Sequence, residues 1–212
     1  MMTHMKIKLF LIALLYSTLT FAQSEKFAQA MEENIKMMDS AKTPDAFNSV
    51  SAQFVRIADA EKSQWLPYYY AGLTLSINGW TDPKLDKDAN STRILEYCDK
   101  AAAINDNSEI YVLRNMAYTQ QMLVDPQTRW QTAGKQGGEA LEKGMKMDPN
   151  NPRLYFLQGS GIFNTPEQYG GGKAKAKPIL EKAMQLFEKE KPEKLHPAWG
   201  KKQTADLLAQ CK

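Results

Sequence analysis

The chain has 212 residues, 43% hydrophobic and 24% charged, with 27 Lys+Arg against 24 Asp+Glu. Setting aside Lys6 and Lys8 leaves 25 basic residues against 24 acidic ones, a balance that gives no electrostatic drive toward nucleic acid or an acidic membrane surface. After residue 22 the only histidine is His196, which excludes a zinc site built from several histidines of one subunit.

In chain order, the first segment reads as a signal peptide over residues 1–22. Lys6 and Lys8 form a short basic start, Leu9 to Tyr16 an apolar run, and Thr20-Phe21-Ala22 a small-x-small cleavage signal. The run falls short of the roughly 20 apolar residues of a membrane span. The expectation is export to the periplasm or beyond, with a cut after Ala22 and no stable membrane insertion. Residues 23–212 then form one domain.

That domain reads as paired helices. Ser24 to Ala41 carries Phe27, Met31, Ile35 and Met38 on one stripe, and Ala46 to Lys62 answers with Phe47, Val50, Phe54 and Ile57. Trp65 to Trp80 pairs with Lys87 to Ile104, Asn107 to Val124 with Pro126 to Met147, and Pro152 to Phe163 with Lys173 to Lys189. A last helix is predicted over Pro197 to Cys211, opened by His196-Pro197-Ala198-Trp199-Gly200, with Trp199 docking it on the last hairpin. No stretch alternates as a strand would.

A beat underlies the pairs. Thr43-Pro44, Asp82-Pro83, Asp125-Pro126 and Thr165-Pro166 recur at intervals of 39, 43 and 40 residues, and Tyr68, Tyr111 and Tyr155 run in step. Thr or Asp can cap a helix whose first residue is proline, so each dipeptide is expected at a helix start. Self-similarity at this period marks stacked helical hairpins. The two cysteines, Cys98 and Cys211, fall in different parts of such a stack. Two small buried residues are expected; the alternative is a disulfide, which needs Cα atoms within about 7 Å.

Asp148-Pro149-Asn150-Asn151-Pro152, followed by Leu154-Tyr155-Phe156-Leu157-Gln158-Gly159, resembles the junction between two tetratricopeptide (TPR) repeats. Gly137, Leu141 and Gly144 before it, and Ala176, Leu180 and Ala183 after it, resemble the family's small-large-small series. Pro67 to Gly72 and Tyr111 to Tyr118 resemble first-helix segments. The period is longer than the family's, and the chain is similar overall to exported TPR-like proteins of bacteria with two membranes. The fold this implies is all-α: four long hairpins with a carboxy-terminal capping helix.

The resemblance also implies a concave face lined by first helices that grips an extended peptide. Anchored on Gly72, Asn115 and Gly159, its groove positions fall on Tyr69, Leu73, Ser76, Val112, Met116, Thr119, Arg153, Phe156, Ser160 and Asn164. The alternative is that these side chains pack inward against the rest of the chain. The function expected is a scaffold that binds a protein or peptide partner, without cofactor, metal or catalysis. The alternatives are a periplasmic small-ligand carrier serving a membrane transporter, and a structural role in an envelope assembly.

Other motifs say less. Tyr169-Gly170-Gly171-Gly172-Lys173 is not a phosphate-binding P-loop, because Glu167 stands at the first glycine position and Ala174 follows the lysine. A turn is expected there; similar glycine-rich turns occur in TPR-like partners of some solute transporters. Trp80 and Trp130 are expected in packing between hairpins. No pair of carboxylates is singled out for acid–base chemistry, and no G-x-S-x-G elbow is present.

Overall fold

A computed structural model describes residues 25–211; residues 1–22, read as a signal peptide, lie outside them. Among the described residues there are helices, turns and loops but no strand. The helices are α1 (25–40), α2 (Pro44–Ala60), α3 (Leu66–Thr81), α4 (Lys87–Ile104), α5 (Ser108–Met122), α6 (Pro126–Arg129), α7 (Lys135–Met147), α8 (Pro152–Asn164), α9 (Lys173–Lys189) and α10 (Lys201–Gln210). A π-helical turn, Trp130–Gly134, joins α6 to α7. Four successive hairpins result, followed by α10.

All four Thr/Asp-Pro dipeptides sit in the turn inside a hairpin, which accounts for their beat. Only two start an α-helix directly, while Pro166 precedes the short 3-10 helix Glu167–Tyr169. Thr43 accepts a hydrogen bond from the Ala46 amide at 3.2 Å, with Pro44 as the first residue of α2. Pro126 opens α6, although the Asp125 side chain caps no amide there. Pro83 and Pro166 lie in longer turns, and α4 takes its cap from Asp86 instead. A proline suits either place, since it has no amide to satisfy.

The tyrosine series has a structural cause as well. Each ring tethers its hairpin to the end of the one before. The Tyr68, Tyr111 and Tyr155 hydroxyls donate to Asp59, Asp106 and the Pro149 carbonyl at 3.2, 3.1 and 3.0 Å. Each ring also lies under a lysine of its own hairpin: Lys100, Lys143 and Lys182, at 5.6, 4.6 and 6.0 Å from the centroids. Where the resemblance wants glycine, Asn115 is accommodated because Gly137 faces it. The Asn115 side chain donates to the Gly137 carbonyl at 2.9 Å, and a Cβ on Gly137 would sit 3.3 Å from that amide.

The core divides in two. One cluster spans the first three hairpins, with Phe54, Tyr69, Leu75, Ile94 and Leu113 at its centre and Leu154 of α8 at its edge. The second joins α8 and α9 through Phe156, Ala176, Leu180, Ala183 and Phe187, with Leu207 and Leu208 of α10 against it. Trp199 packs on both clusters.

Two further expectations are corrected. The last helix begins at Lys201, not at Pro197, so His196 to Gly200 are not helical. Gly200 at φ 110° cannot continue a helix backward. Trp80 and Trp130 do not fill gaps between hairpins, being 51% and 58% exposed. Cys98 is buried and Cys211 half-buried, as unbridged residues.

Candidate functional site

The groove positions named from the sequence do come from α3, α5 and α8, but most are covered. Tyr69, Leu73, Ser76, Val112, Met116, Arg153 and Phe156 are buried, Thr119 and Ser160 half-buried, and Asn164 exposed. Gln120 of α5 uses its side-chain amide on the Ser76 carbonyl, at 2.8 Å, and on the Ser76 hydroxyl. Asn164 donates to the Ser160 carbonyl one turn back.

What covers part of this face is the chain's own segment from Glu190 to Gly200, an irregular strap between α9 and α10. Pro192 and Pro197 disfavour helix, and the strap turns at residues 194–196. It is held by side chains from α3 and α8. Arg153 donates from Nη1 to the Trp199 carbonyl at 3.3 Å and pairs through Nη2 with the Glu190 carboxylate, so one guanidinium grips both ends. Trp199 Nε1 donates to the Tyr69 hydroxyl at 3.0 Å, and the Tyr70 hydroxyl donates to the Leu195 carbonyl at 2.9 Å. Trp199 also meets the Phe156 ring edge-on at 6.2 Å.

Beneath the strap lies Glu109, the inner counter-charge. Its carboxylate accepts from Arg153 Nε at 2.8 Å, from Asn151 Nδ2 at 2.6 Å and from the Tyr69 hydroxyl at 3.3 Å. Burial pushes the Glu109 carboxyl above its usual range, and the Arg153 guanidinium opposes that shift. Burial likewise raises the Tyr69 phenol, which stays a neutral donor. The asparagine and arginine of the Asn151-Pro152-Arg153 run, which in sequence resembles a repeat junction, thus serve an internal ion-pair network.

Between the strap and α1 opens a cleft of about 440 Å³, within the usual range for small-molecule sites. Ile35 and Met38 of α1, Tyr70 of α3, and Leu195 and Trp199 of the strap give it apolar and aromatic walls. His196 lines it and stands edge-on to Trp65 at 5.7 Å, with its side chain 36% exposed. Charge gathers at the lining: Glu32 pairs with Lys194 across the opening at 2.7 Å, with Lys36 and Asp39 beside them. Partial burial raises the Asp39 carboxyl above its ordinary value.

Leu195 adopts φ 69°, the one non-glycine residue with positive φ among those described. A bulky side chain in that region is costly, and such strain concentrates at functional sites. Here the Tyr70 bond holds it, directly before His196. None of Ile35, Met38 or Leu195 was named from the sequence as a site residue. The lone histidine was a signal, but its helical assignment placed it at a cap rather than on a cleft wall.

A second cleft of about 410 Å³ is lined mostly by charged and amide residues, among them Glu109, Asp148, Asn151, Arg153 and Glu190. Among the described residues no cluster of three His, Cys, Asp or Glu side chains could hold a metal ion, and no helix is long and apolar enough to cross a membrane. The glycine run is accounted for by its backbone: Gly170 and Gly172 have φ of 89° and 103°, and a side chain on Gly171 would meet the Thr165 carbonyl.

Stacked helical hairpins closed by a carboxy-terminal strap define the class of protein. Among solved structures, the chain is similar to the HusA haemophore from Porphyromonas gingivalis, at 34% identity and a TM-score of 0.79, over 88% of this chain and 92% of that one. With that identity over that length, the chain belongs to the family of the HusA haemophore. Protein-family models and curated proteins gave no match. None of these comparisons identifies the hairpins as tetratricopeptide repeats.

Proposed function

We propose that this chain is an exported, non-enzymatic binding protein that captures haem, or a closely related planar tetrapyrrole, in the cleft between α1 and the strap. The observation that carries the reading is the cleft's donor set, in a relative of a haemophore. One imidazole, His196, stands among Ile35, Met38, Tyr70, Leu195 and Trp199, with Lys36 and Lys194 on the lining. The chemistry fits such a cargo: neutral imidazole is a common iron ligand, a macrocycle is apolar on both faces, and its propionates seek cations. The Glu32–Lys194 pair must exchange partners when a propionate arrives. That exchange is cheap, because exposed ion pairs contribute little.

The test is a haemin titration of the mature chain followed by absorption, beside His196→Ala. The reading expects one equivalent bound and a ligand-field spectrum of imidazole-bound iron. His196→Ala should lose that spectrum and at least about tenfold in affinity, or 1.4 kcal/mol. No saturable binding, or an unchanged spectrum in the variant, would overturn it.

A second reading, capture of an extended peptide from a partner protein, draws support from the strap itself. An irregular segment already lies against Tyr69, Arg153 and Phe156, using main-chain and side-chain contacts of the kind an external peptide would use.

A further inference from the structure

We infer that Lys194 is the residue by which the cleft reads a carboxylate on its cargo, and that Glu32 is the stand-in which this carboxylate displaces. This rests on the reading above that a planar tetrapyrrole occupies the cleft. It names the members of that class preferred, those with free carboxylates, and it needs no bond to a metal. Lys194 Nζ meets Glu32 Oε1 at 2.7 Å, the one ion pair among the described residues that joins α1 to the strap. Both side chains line the cleft and neither is buried, at 72% and 41% exposure. The hydrogen bond and charge of Lys194 hold the Glu32 carboxyl below its ordinary range. The glutamate is therefore an anion when cargo arrives.

On the lining, two cations, Lys36 and Lys194, face two anions, Glu32 and Asp39. A dianionic cargo meets no net field there, so discrimination has to come from individual contacts. Lys194 is placed to make one. The Leu195 carbonyl accepts from the Tyr70 hydroxyl at 2.9 Å, which fixes the backbone beside Lys194. Leu195 and Trp199 put apolar and aromatic wall next to it. Glu193, the neighbouring carboxylate of the strap, turns to His196 Nε2 at 3.7 Å. Glu32, across the opening, is left as the partner of Lys194. Lys36 stands one turn from Glu32 on α1 and offers a second carboxylate its cation.

A cargo carboxylate that takes Lys194 from Glu32 replaces one ion pair by another, and no charge is stranded. The new pair lies against apolar walls, where attraction is screened less than between the exposed side chains it replaces. An uncharged edge, such as an ester, offers nothing in exchange and leaves the original pair across the opening. Acid and ester then differ by one partly desolvated contact.

The probe is metal-free protoporphyrin IX, as the free diacid and as its uncharged dimethyl ester, both in the same dilute non-ionic detergent. Binding to the full mature chain is followed by porphyrin fluorescence anisotropy for wild type, Lys194→Gln and Glu32→Gln. Lys177→Gln, at an exposed lysine of α9 outside the cleft, controls for net charge. None of these side chains is buried, so the variants are expected to fold. Wild type should bind the diacid more tightly than the ester, with a preference that shrinks as salt is raised. Lys194→Gln should weaken diacid binding about fivefold and leave the ester unchanged, the size expected of one exposed charge pair. Glu32→Gln, which removes the competitor, should tighten diacid binding about threefold and again spare the ester. Lys177→Gln should match the wild type.

Wild type that binds acid and ester equally would overturn this inference and leave the cleft assignment standing. So would equal losses for both forms in Lys194→Gln, or a Glu32→Gln variant that binds the acid no better. Uptake of haemin without either metal-free form would also overturn it alone. A wild type that takes up neither form, and no haemin, would sink the tetrapyrrole reading and this inference with it.

Discussion

Phe156→Ala separates a core role from a groove role at the residue where the two conflict. As a groove residue Phe156 would be spared by folding; in the structure it is 9% exposed and belongs to the second core cluster. Its ring packs among Ala176, Leu180, Ala183 and Phe187, and meets Trp199 edge-on at 6.2 Å. Truncating a buried phenylalanine to alanine costs about 3–5 kcal/mol, counting lost transfer and the cavity left behind. Residual exposure moves the expectation to the lower part of that range, while the aromatic pair, worth roughly 0.5–1.5 kcal/mol, moves it back up. We expect about 4 kcal/mol. For a domain of this size each kcal/mol lowers Tm by roughly 2–4 °C, so the fall should be of order 8–16 °C. Urea unfolding followed by circular dichroism at constant m-value measures it, with the exposed Asn164→Ala as control. A loss below about 1 kcal/mol would refute the packing argument and return Phe156 to an open face.

Further consequences follow from burial. Cys98 has its thiol pushed up to about 12 by burial, so it should resist a maleimide until the chain unfolds, while half-buried Cys211 reacts in the native state; mass spectrometry of the labelled peptides decides. Glu109→Ala removes the inner partner of Arg153 and leaves the guanidinium to Glu190, a change expected to cost roughly 3–5 kcal/mol in denaturant titration. Gly159→Ala would place a Cβ 2.7 Å from Leu180 Cδ2, and the overpacking should cost about 1–3 kcal/mol by the same assay.

The hairpins were legible because their signals are local. Apolar stripes at helical spacing, a proline in each inner turn and a tyrosine at each junction are all properties of short windows. The boundaries of α4 and α9 follow from Asp86 before the one and the glycine run before the other. The tail was misjudged for the same local reason. Pro197 followed by Ala198 and Trp199 resembles a helix start, and nothing within that window announces that Arg153 and Tyr69 will claim Trp199 from 46 and 130 residues away.

The candidate site was hidden by that same error. Tyr69, Arg153 and Phe156 were expected to line an open concave face of first helices, and all three are buried in the structure. What fills that face is the strap, and a contact between sequence-distant segments leaves no periodicity to detect. His196 was noticed for its rarity, yet its position on a cleft wall depends on the left-handed turn at Leu195. Leucine is not a residue that advertises such a turn.

The claim that matters most is that the cargo sits between α1 and the strap. Gallium(III) protoporphyrin IX, a diamagnetic stand-in for haem, should be titrated into the isotopically labelled mature chain and followed by amide and side-chain NMR. The account predicts the largest shifts at Ile35, Met38, Tyr70, Leu195, His196 and Trp199. Shifts centred instead on the second cleft beside Asp148, or spread over the outer faces with none at His196, would contradict it.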